Sequence, residues 1–158
     1  MIREATLKDI TEMQLIRNTV RENVLSNPAL VTRQDYEDYL SEKGRSWVCV
    51  VDGALVGFAA VDLQNNNVWA LFVKVGQEGK GYGKQLHDVM VNWYFAQSET
   101  PLWLSTDPGT RAERFYLRQG WTCVGSFGQQ EVKFEMSKLA WQSQVINNLQ
   151  KYPRDIAL

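Results

Sequence analysis

The sequence is poor in the residues that build metal centres and disulfide frameworks. It has two cysteines and one histidine in 158 residues. Cys49 and Cys123 lie in separate apolar runs without metal-ligand spacing, and His87 has no second histidine to share an ion, so no metal is expected. Two isolated thiols of this kind are expected to be buried and reduced, and His87 is expected at a solvated helix position. No stretch approaches the roughly 18 consecutive apolar residues of a membrane span, so no membrane partner is expected. The opening "MIREATLKDI" lacks an apolar signal core, which predicts a cytoplasmic location. A formal net charge of -1 argues against a broad basic surface for duplex nucleic acid, though seventeen Lys and Arg leave room for a local basic pocket. There is neither an internal repeat nor a low-complexity segment.

What is present is an ordinary globular composition, 44% hydrophobic and 22% charged, long enough for one domain with a sizeable core. "MIREA" reads as a short strand. Thr6 with Asp9 three residues on opens a helix carrying Ile10, Met13, Ile16, Val20 and Val24, which Asn27-Pro28 would end. Thr32 with Asp35 opens a second, short helix carrying Tyr36, Tyr39 and Leu40. Residues 46–51, 54–63 and 68–75 read as three strands of an antiparallel meander, joined by tight turns such as Asp52-Gly53. A helix follows with Leu86, Val89, Met90 and Trp93 as its predicted buried stripe, then a strand at 101–106, expected to run parallel to the strand before that helix. A helix over roughly 110–119 stops at Gly120, and "WTCVGSF" with "EVKFEMSK" forms a hairpin. Trp141, Val145, Leu149 and Tyr152 share a helical spacing near the end. The order predicts an α+β fold around a mostly antiparallel sheet with one parallel crossover.

Between the third meander strand and its helix lies "EGKGYGKQL", residues 78–86. Glycines ahead of a helix N-terminus aim several backbone N–H groups at one point, where the helix dipole adds partial positive charge, so a phosphate group fits there. Lys80 and Lys84 add Coulomb attraction; the alternative is a tight turn that binds nothing. A Walker loop is excluded because Gln85 follows Lys84 where a hydroxyl residue is required. The dinucleotide fingerprint is excluded by glycines at 79, 81 and 83 and by the preceding meander. The RNA-binding pattern starts at "KGYG" and breaks at residue 84.

The loop resembles the acyl-CoA loop [QR]-x-x-G-x-[GA] of the GNAT acetyltransferase superfamily, with Gly81 and Gly83 in place and Glu78 at the position of the family's Gln or Arg. A carboxylate there must turn out to solvent to spare a bound pyrophosphate. "RAERFYLRQGW" (111–121) resembles the family's A-x-x-x-[FY]-Y-x-x-x-G-[FW] helix through Ala112, Phe115, Tyr116, Gly120 and Trp121. The resemblance spans roughly residues 1–138, a GNAT domain, and leaves 139–158 as a partly helical segment packing on the domain or on a second subunit of a homodimer.

The resemblance implies an acetyl-CoA-dependent N-acetyltransferase acting on a primary amine of a small molecule or peptide, by direct attack in a ternary complex. Acetyl-CoA would be the co-substrate, with pantetheine on the backbone of Leu71, Phe72 and Val73 and pyrophosphate on Gly79, Lys80, Gly81, Tyr82, Gly83 and Lys84. Tyr116 would be the catalytic acid, a phenol of ordinary pKa near ~10 protonating a thiolate whose acid lies near ~8.5. No base is evident: Leu104 stands where some members carry a glutamate, which leaves Asp107, Glu22 and Asp62 as candidates. The acceptor would enter beside the first two helices, where Arg17, Arg21, Glu22, Tyr36 and Tyr39 lie, with Asp107 as a further contact. The alternative reading is a non-catalytic acyl-CoA-binding or sensing module.

Overall fold

The computed structural model describes residues 1–20 and 30–151. Two compact units, Met1–Ser98 and Glu99–Leu158, divide the chain. The first unit holds strand β1 (Ile2–Glu4), a 3-10 turn (Leu7–Asp9), helices α1 (Ile10–Thr19) and α2 (Arg33–Asp38), strands β2 (Gly44–Val51), β3 (Ala54–Asp62) and β4 (Asn67–Val73), and helix α3 (Tyr82–Gln97). Its strands lie in the order β1-β2-β3-β4, each pair antiparallel.

Both acid-capped starts form as predicted. At the first, the Asp9 carboxylate accepts from the Thr6 N–H at 2.8 Å and takes both Arg3 guanidinium nitrogens at 2.8 and 2.9 Å, which ties β1 to the start of α1. At the second, Thr32 Oγ1 accepts from Asp35 N–H while Asp35 Oδ2 accepts from Thr32 N–H at 2.7 Å. The β2–β3 turn has positive φ at both Asp52 and Gly53, the torsions a two-residue hairpin demands.

Strand alternation sorts the core into two faces. Val48, Phe58 and Ala60 lie under α1 and α2, buried with Ile10, Met13, Ile16, Tyr36 and Tyr39. Gly57 faces α3 instead: a Cβ there would sit 3.0 Å from Leu86 Cδ1. Each large apolar side chain so buried contributes roughly 1.5–3 kcal/mol.

Three expectations need correction. Helix α1 stops at Thr19, with Val20 extended at ψ 152°, and the Thr19 hydroxyl folds back to donate to the carbonyls of Leu15 and Ile16. Val24 and Asn27-Pro28 lie outside the described residues. The stripe of α3 is rotated: Leu86, His87, Met90, Val91, Tyr94 and Phe95 are buried, whereas Val89 is 37% exposed. His87 is therefore fully buried rather than solvated, its Nδ1 2.8 Å from Asp88 Oδ1.

The second unit holds β5 (Leu102–Thr106), α4 (Arg111–Arg118), β6 (Thr122–Phe127), β7 (Glu131–Met136) and α5 (Lys138–Lys151). Its strands are ordered β5-β7-β6, antiparallel throughout. All six residues of β6 are exposed, so Cys123 is exposed and only Cys49 is a buried thiol; an apolar run on an outermost strand does not bury its residues. On α5, Trp141 is buried while Leu149 is 37% exposed; Tyr152 lies outside the described residues. No helix of the described residues is long and apolar enough to cross a membrane.

Candidate functional site

In the first unit, β4 leads into a loop that reverses three times through positive φ, at Gly76 (92°), Gly79 (76°) and Gly81 (88°). A Cβ built on any of these would meet nothing within 4 Å, so glycine is needed for torsion and the space over the loop stays open. Gly81 is the N-cap of α3, and the first in-helix bond runs from Gln85 N–H to Gly81 O at 3.1 Å. The N–H groups of Tyr82, Gly83 and Lys84 therefore have no carbonyl of their own helix, and the positive end of the α3 dipole lies with them.

The charged side chains of the loop arrange themselves around this concavity. The Glu78 carboxylate turns back to accept from the Gly76 N–H at 2.9 Å, two residues earlier in the loop. Lys80 Nζ donates to Gln77 Oε1 at 3.1 Å. Lys84 Nζ pairs with Asp88 Oδ2 at 2.7 Å, and Asp88 also holds His87. Burial works to raise the Asp88 carboxyl, but the hydrogen bonds from His87 and Lys84 hold it below its ordinary value.

Along β4 the register decides which main-chain groups are used. Lys74 N–H donates to Val56 O at 2.7 Å, and Phe72 pairs with Phe58. By alternation the backbone of Phe72 faces β3, while the N–H and C=O of Leu71 and Val73 face away from it. Phe72 thus offers its ring, which packs 5.8 Å from Phe58 and lies 4.2 Å under the Arg17 guanidinium.

A register shift follows: Ala60 pairs with Ala70 but Val61 with Val68, leaving Trp69 as an extra residue in β4. The bulge puts the Trp69 ring against Tyr39 (4.3 Å, stacked) and Tyr36 (5.1 Å, edge-on). The Trp69 and Tyr36 rings border a pocket of about 170 Å³ that Arg17, Val31 and Ala70 also line. Burial lowers the Arg17 pKa, and burial pushes the Tyr36 phenol up to about 12, so Tyr36 stays a neutral hydrogen-bond donor. Trp69 was not legible in the sequence, because a bulge depends on the partner strand. Arg21 and Glu22 lie outside the described residues.

Asp62 is a poor candidate base. Its carboxylate accepts from Tyr39 Oη, the backbone N–H groups of Gln64 and Asn65, and Asn65 Nδ2, all at 2.8–2.9 Å. Burial opposes its ionisation, yet the donors from Asn65, Tyr39 and Gln64 outweigh burial and keep its pKa low. It organises the end of β3.

In the second unit, Tyr116 is buried on α4, edge-on to Phe115 (5.2 Å) and Trp121 (5.5 Å). The helix ends in a Schellman motif: Trp121 N–H bonds Tyr116 O at 3.0 Å, Gly120 N–H bonds Leu117 O at 3.1 Å, and Gly120 has φ 88°. The spacing Tyr-x-x-x-Gly-Trp is what this cap needs, because the residue after the glycine must pack back on the tyrosine. Burial raises the Tyr116 pKa, so the phenol keeps its proton throughout the physiological range. Asp107, half-buried after β5, accepts from the Thr110 hydroxyl through its backbone carbonyl at 2.8 Å.

The model of the acetyltransferase (GNAT) family matches residues 9–121, and the chain belongs to that family. Among solved structures, an N-acetyltransferase from Staphylococcus aureus Mu50 matches with TM-score 0.72 at 18% identity, covering 87% of this chain and 97% of its own. A PaiA N-acetyltransferase from Thermoplasma acidophilum in complex with coenzyme A matches with TM-score 0.74 at 13% identity, covering 87% and 98%. A ribosomal-protein-alanine N-acetyltransferase from Brucella melitensis matches with TM-score 0.70 at 20% identity, covering 87% and 99%. No curated protein sequence matches the chain. The fold is the GNAT fold that these neighbours share.

Proposed function

We propose that the protein is an N-acetyltransferase that carries the acetyl group of acetyl-CoA to a primary amine by direct attack in a ternary complex. The observation that carries this reading is the loop at residues 76–84, whose glycines leave open space over the unbonded N–H groups of α3. Such a concavity suits a pyrophosphate and needs no arginine. The Glu78 carboxylate would stay on the Gly76 N–H when the anion binds.

Acetyl-CoA, when bound, supplies the activated acyl group and a thiolate leaving group. The chain's part is to bind, orient and supply a proton. Tyr82, Gly83 and Lys84 would hold the pyrophosphate through backbone N–H groups, with Gly79, Lys80 and Gly81 shaping the turn. Leu71 and Val73 would offer the outward backbone groups of β4 to the pantetheine arm and an N–H to the carbonyl oxygen. Tyr116 would hold a proton at Oη for the departing sulfur. Its raised pKa keeps that proton in place, and a thiolate stripped of water is itself a stronger base than one in solution. Locking Asp62 away from base duty is consistent with an amine that arrives neutral.

Incubation of the protein with acetyl-CoA and a panel of primary amines, following free thiol, tests the reading. Amine-dependent thiol release is expected. Tight CoA binding with no release from any amine would replace the enzyme by an acyl-CoA-binding module.

A further inference from the structure

His87 is fully buried on α3, and nothing in the transfer step uses it. Its Nδ1 lies 2.8 Å from Asp88 Oδ1, and the other oxygen of the same carboxylate, Oδ2, accepts from Lys84 Nζ at 2.7 Å. A carboxylate held below its ordinary pKa is ionised near neutrality and can only accept, so the proton of the first contact sits on His87 Nδ1. One carboxylate thus bridges a buried ring and a lysine in the first turn of the helix that opens on the cradle.

The positions along α3 decide what this bridge does. Helices α1, α2 and α4 each carry an acid in the first turn, Glu12, Asp35 and Glu113, where a negative charge meets the positive end of the dipole. Helix α3 carries none there: its first turn holds Lys84, and its one acid, Asp88, stands a turn further on. The dipole repels a cation in the first turn, and a lysine four residues ahead of an acid is the weaker order for a helical pair. Exposed pairs of this kind contribute little on their own. Here the carboxylate is fixed beforehand, because the His87 side chain is 0% exposed against 52% for Lys84, and only the lysine is left to order. The pair draws the Lys84 ammonium toward the second turn of α3 and offsets its charge. Lys80 differs, since its partner is the neutral Gln77 amide, which leaves its charge whole.

From this arrangement, and resting on the acyl-CoA reading of the cradle above, we propose that Asp88, anchored by His87, is a positioning residue that keeps the Lys84 ammonium off the cradle and so holds CoA affinity below what the loop's charges would otherwise give. The cradle then takes its anion on main-chain N–H groups, with Lys80 as the side-chain charge. The benefit lies in turnover. An ammonium on the pyrophosphate would bind acetyl-CoA and free CoA alike, and contact of that uniform kind slows release without speeding transfer.

The experiment is calorimetric titration of CoA into the wild type, Asp88→Asn, Lys84→Met, the double variant and Lys80→Met, each at two salt concentrations. Asparagine keeps the shape of Asp88 and an oxygen to accept from His87, and loses only the charge. Asp88→Asn is expected to lower the CoA Kd roughly three- to tenfold, as one freed charge-assisted contact would, and to steepen its salt dependence. In the Lys84→Met background the same change should move the Kd by less than about twofold, because its action runs through the lysine. Lys84→Met alone should raise the Kd less than Lys80→Met does, since Asp88 already offsets the first charge and not the second. A Kd for Asp88→Asn equal to or above that of the wild type overturns the inference, while the acyl-CoA reading stands on the wild type's own titration. Equal tightening with and without Lys84 also overturns it, because Asp88 would then act by plain repulsion of the anion. Lys80 and Lys84 are both exposed, so their comparison decides the question if Asp88→Asn unfolds: a larger loss for Lys84→Met overturns the inference. Absence of CoA binding heat in the wild type, with thiol release from no amine, overturns the acyl-CoA reading and this inference with it.

Discussion

Replacing Gly81 by alanine separates the loop's role in binding from its role in folding. Gly81 has φ 88° and ψ 0°, and a Cβ there touches nothing within 4 Å, so the cost of the substitution is torsional. Holding an L-residue in that region costs about 1–2 kcal/mol. Gly53 at the β2–β3 turn has φ 77° and equally open surroundings, so Gly53→Ala carries a similar cost far from the cradle. Both variants should lose roughly 2–8 °C in Tm, at about 2–4 °C per kcal/mol for a chain of this size. Only Gly81→Ala can relieve its strain by rotating the N–H groups of Tyr82 and Gly83 away from the anion. A lost hydrogen bond to a charged group is worth about 1.5–3 kcal/mol, so the CoA Kd should rise roughly ten- to a hundredfold in Gly81→Ala and stay unchanged in Gly53→Ala. Calorimetric titration of CoA into the two variants at matched fractions folded is the assay. Equal affinities would refute the cradle, since the two substitutions would then differ in nothing but position.

Tyr116→Phe should cut kcat on the order of a hundredfold while leaving the CoA Kd within about threefold of wild type, because it removes a proton donor and keeps the ring on Trp121; an unchanged kcat would remove Tyr116 from the mechanism. Stability should fall in acid. Asp9 is held low chiefly by its Arg3 hydrogen bonds, and Asp62 is held low by its donors against burial. Carboxylates with depressed folded pKa values contribute stability above the unfolded pKa near ~3.9 and lose it as pH falls through the folded values, so Tm should be steady near neutrality and drop below about pH 4. Asp62→Asn should lower Tm at neutral pH and shrink that acid drop, and an undiminished drop would show that Asp62 titrates normally. A thiol reagent should modify Cys123 quickly in the native protein and Cys49 only on unfolding, and two fast thiols would contradict the burial of Cys49.

Much of the fold was legible because its signals are local. Thr6 with Asp9 and Thr32 with Asp35 start helices through contacts that span three residues, and Gly120-Trp121 ends one through contacts that span five. Gly79 and Gly81 advertise positive φ by being glycine. The parts that were not legible depend on partners distant in sequence. Trp69 becomes a pocket wall only because β3 pairs with β4 out of step at Ala60 and Val61. Cys123 is exposed because β6 lies at the end of its unit's strand order, which the apolar run "WTCVGSF" does not reveal. His87 is buried because the apolar stripe of α3 is centred one position round from its most obvious hydrophobic residues. Arg17 was visible as a charge near the end of a helix, but its stacking on Phe72 is a tertiary fact.

Initial-rate kinetics with acetyl-CoA and a single accepted primary amine varied together test the central claim most directly. Direct attack with both substrates held at once predicts intersecting double-reciprocal lines, with free CoA and N-acetyl product formed one for one. Parallel lines, which signal an acetylated protein as intermediate, or CoA release without N-acetyl product would contradict it.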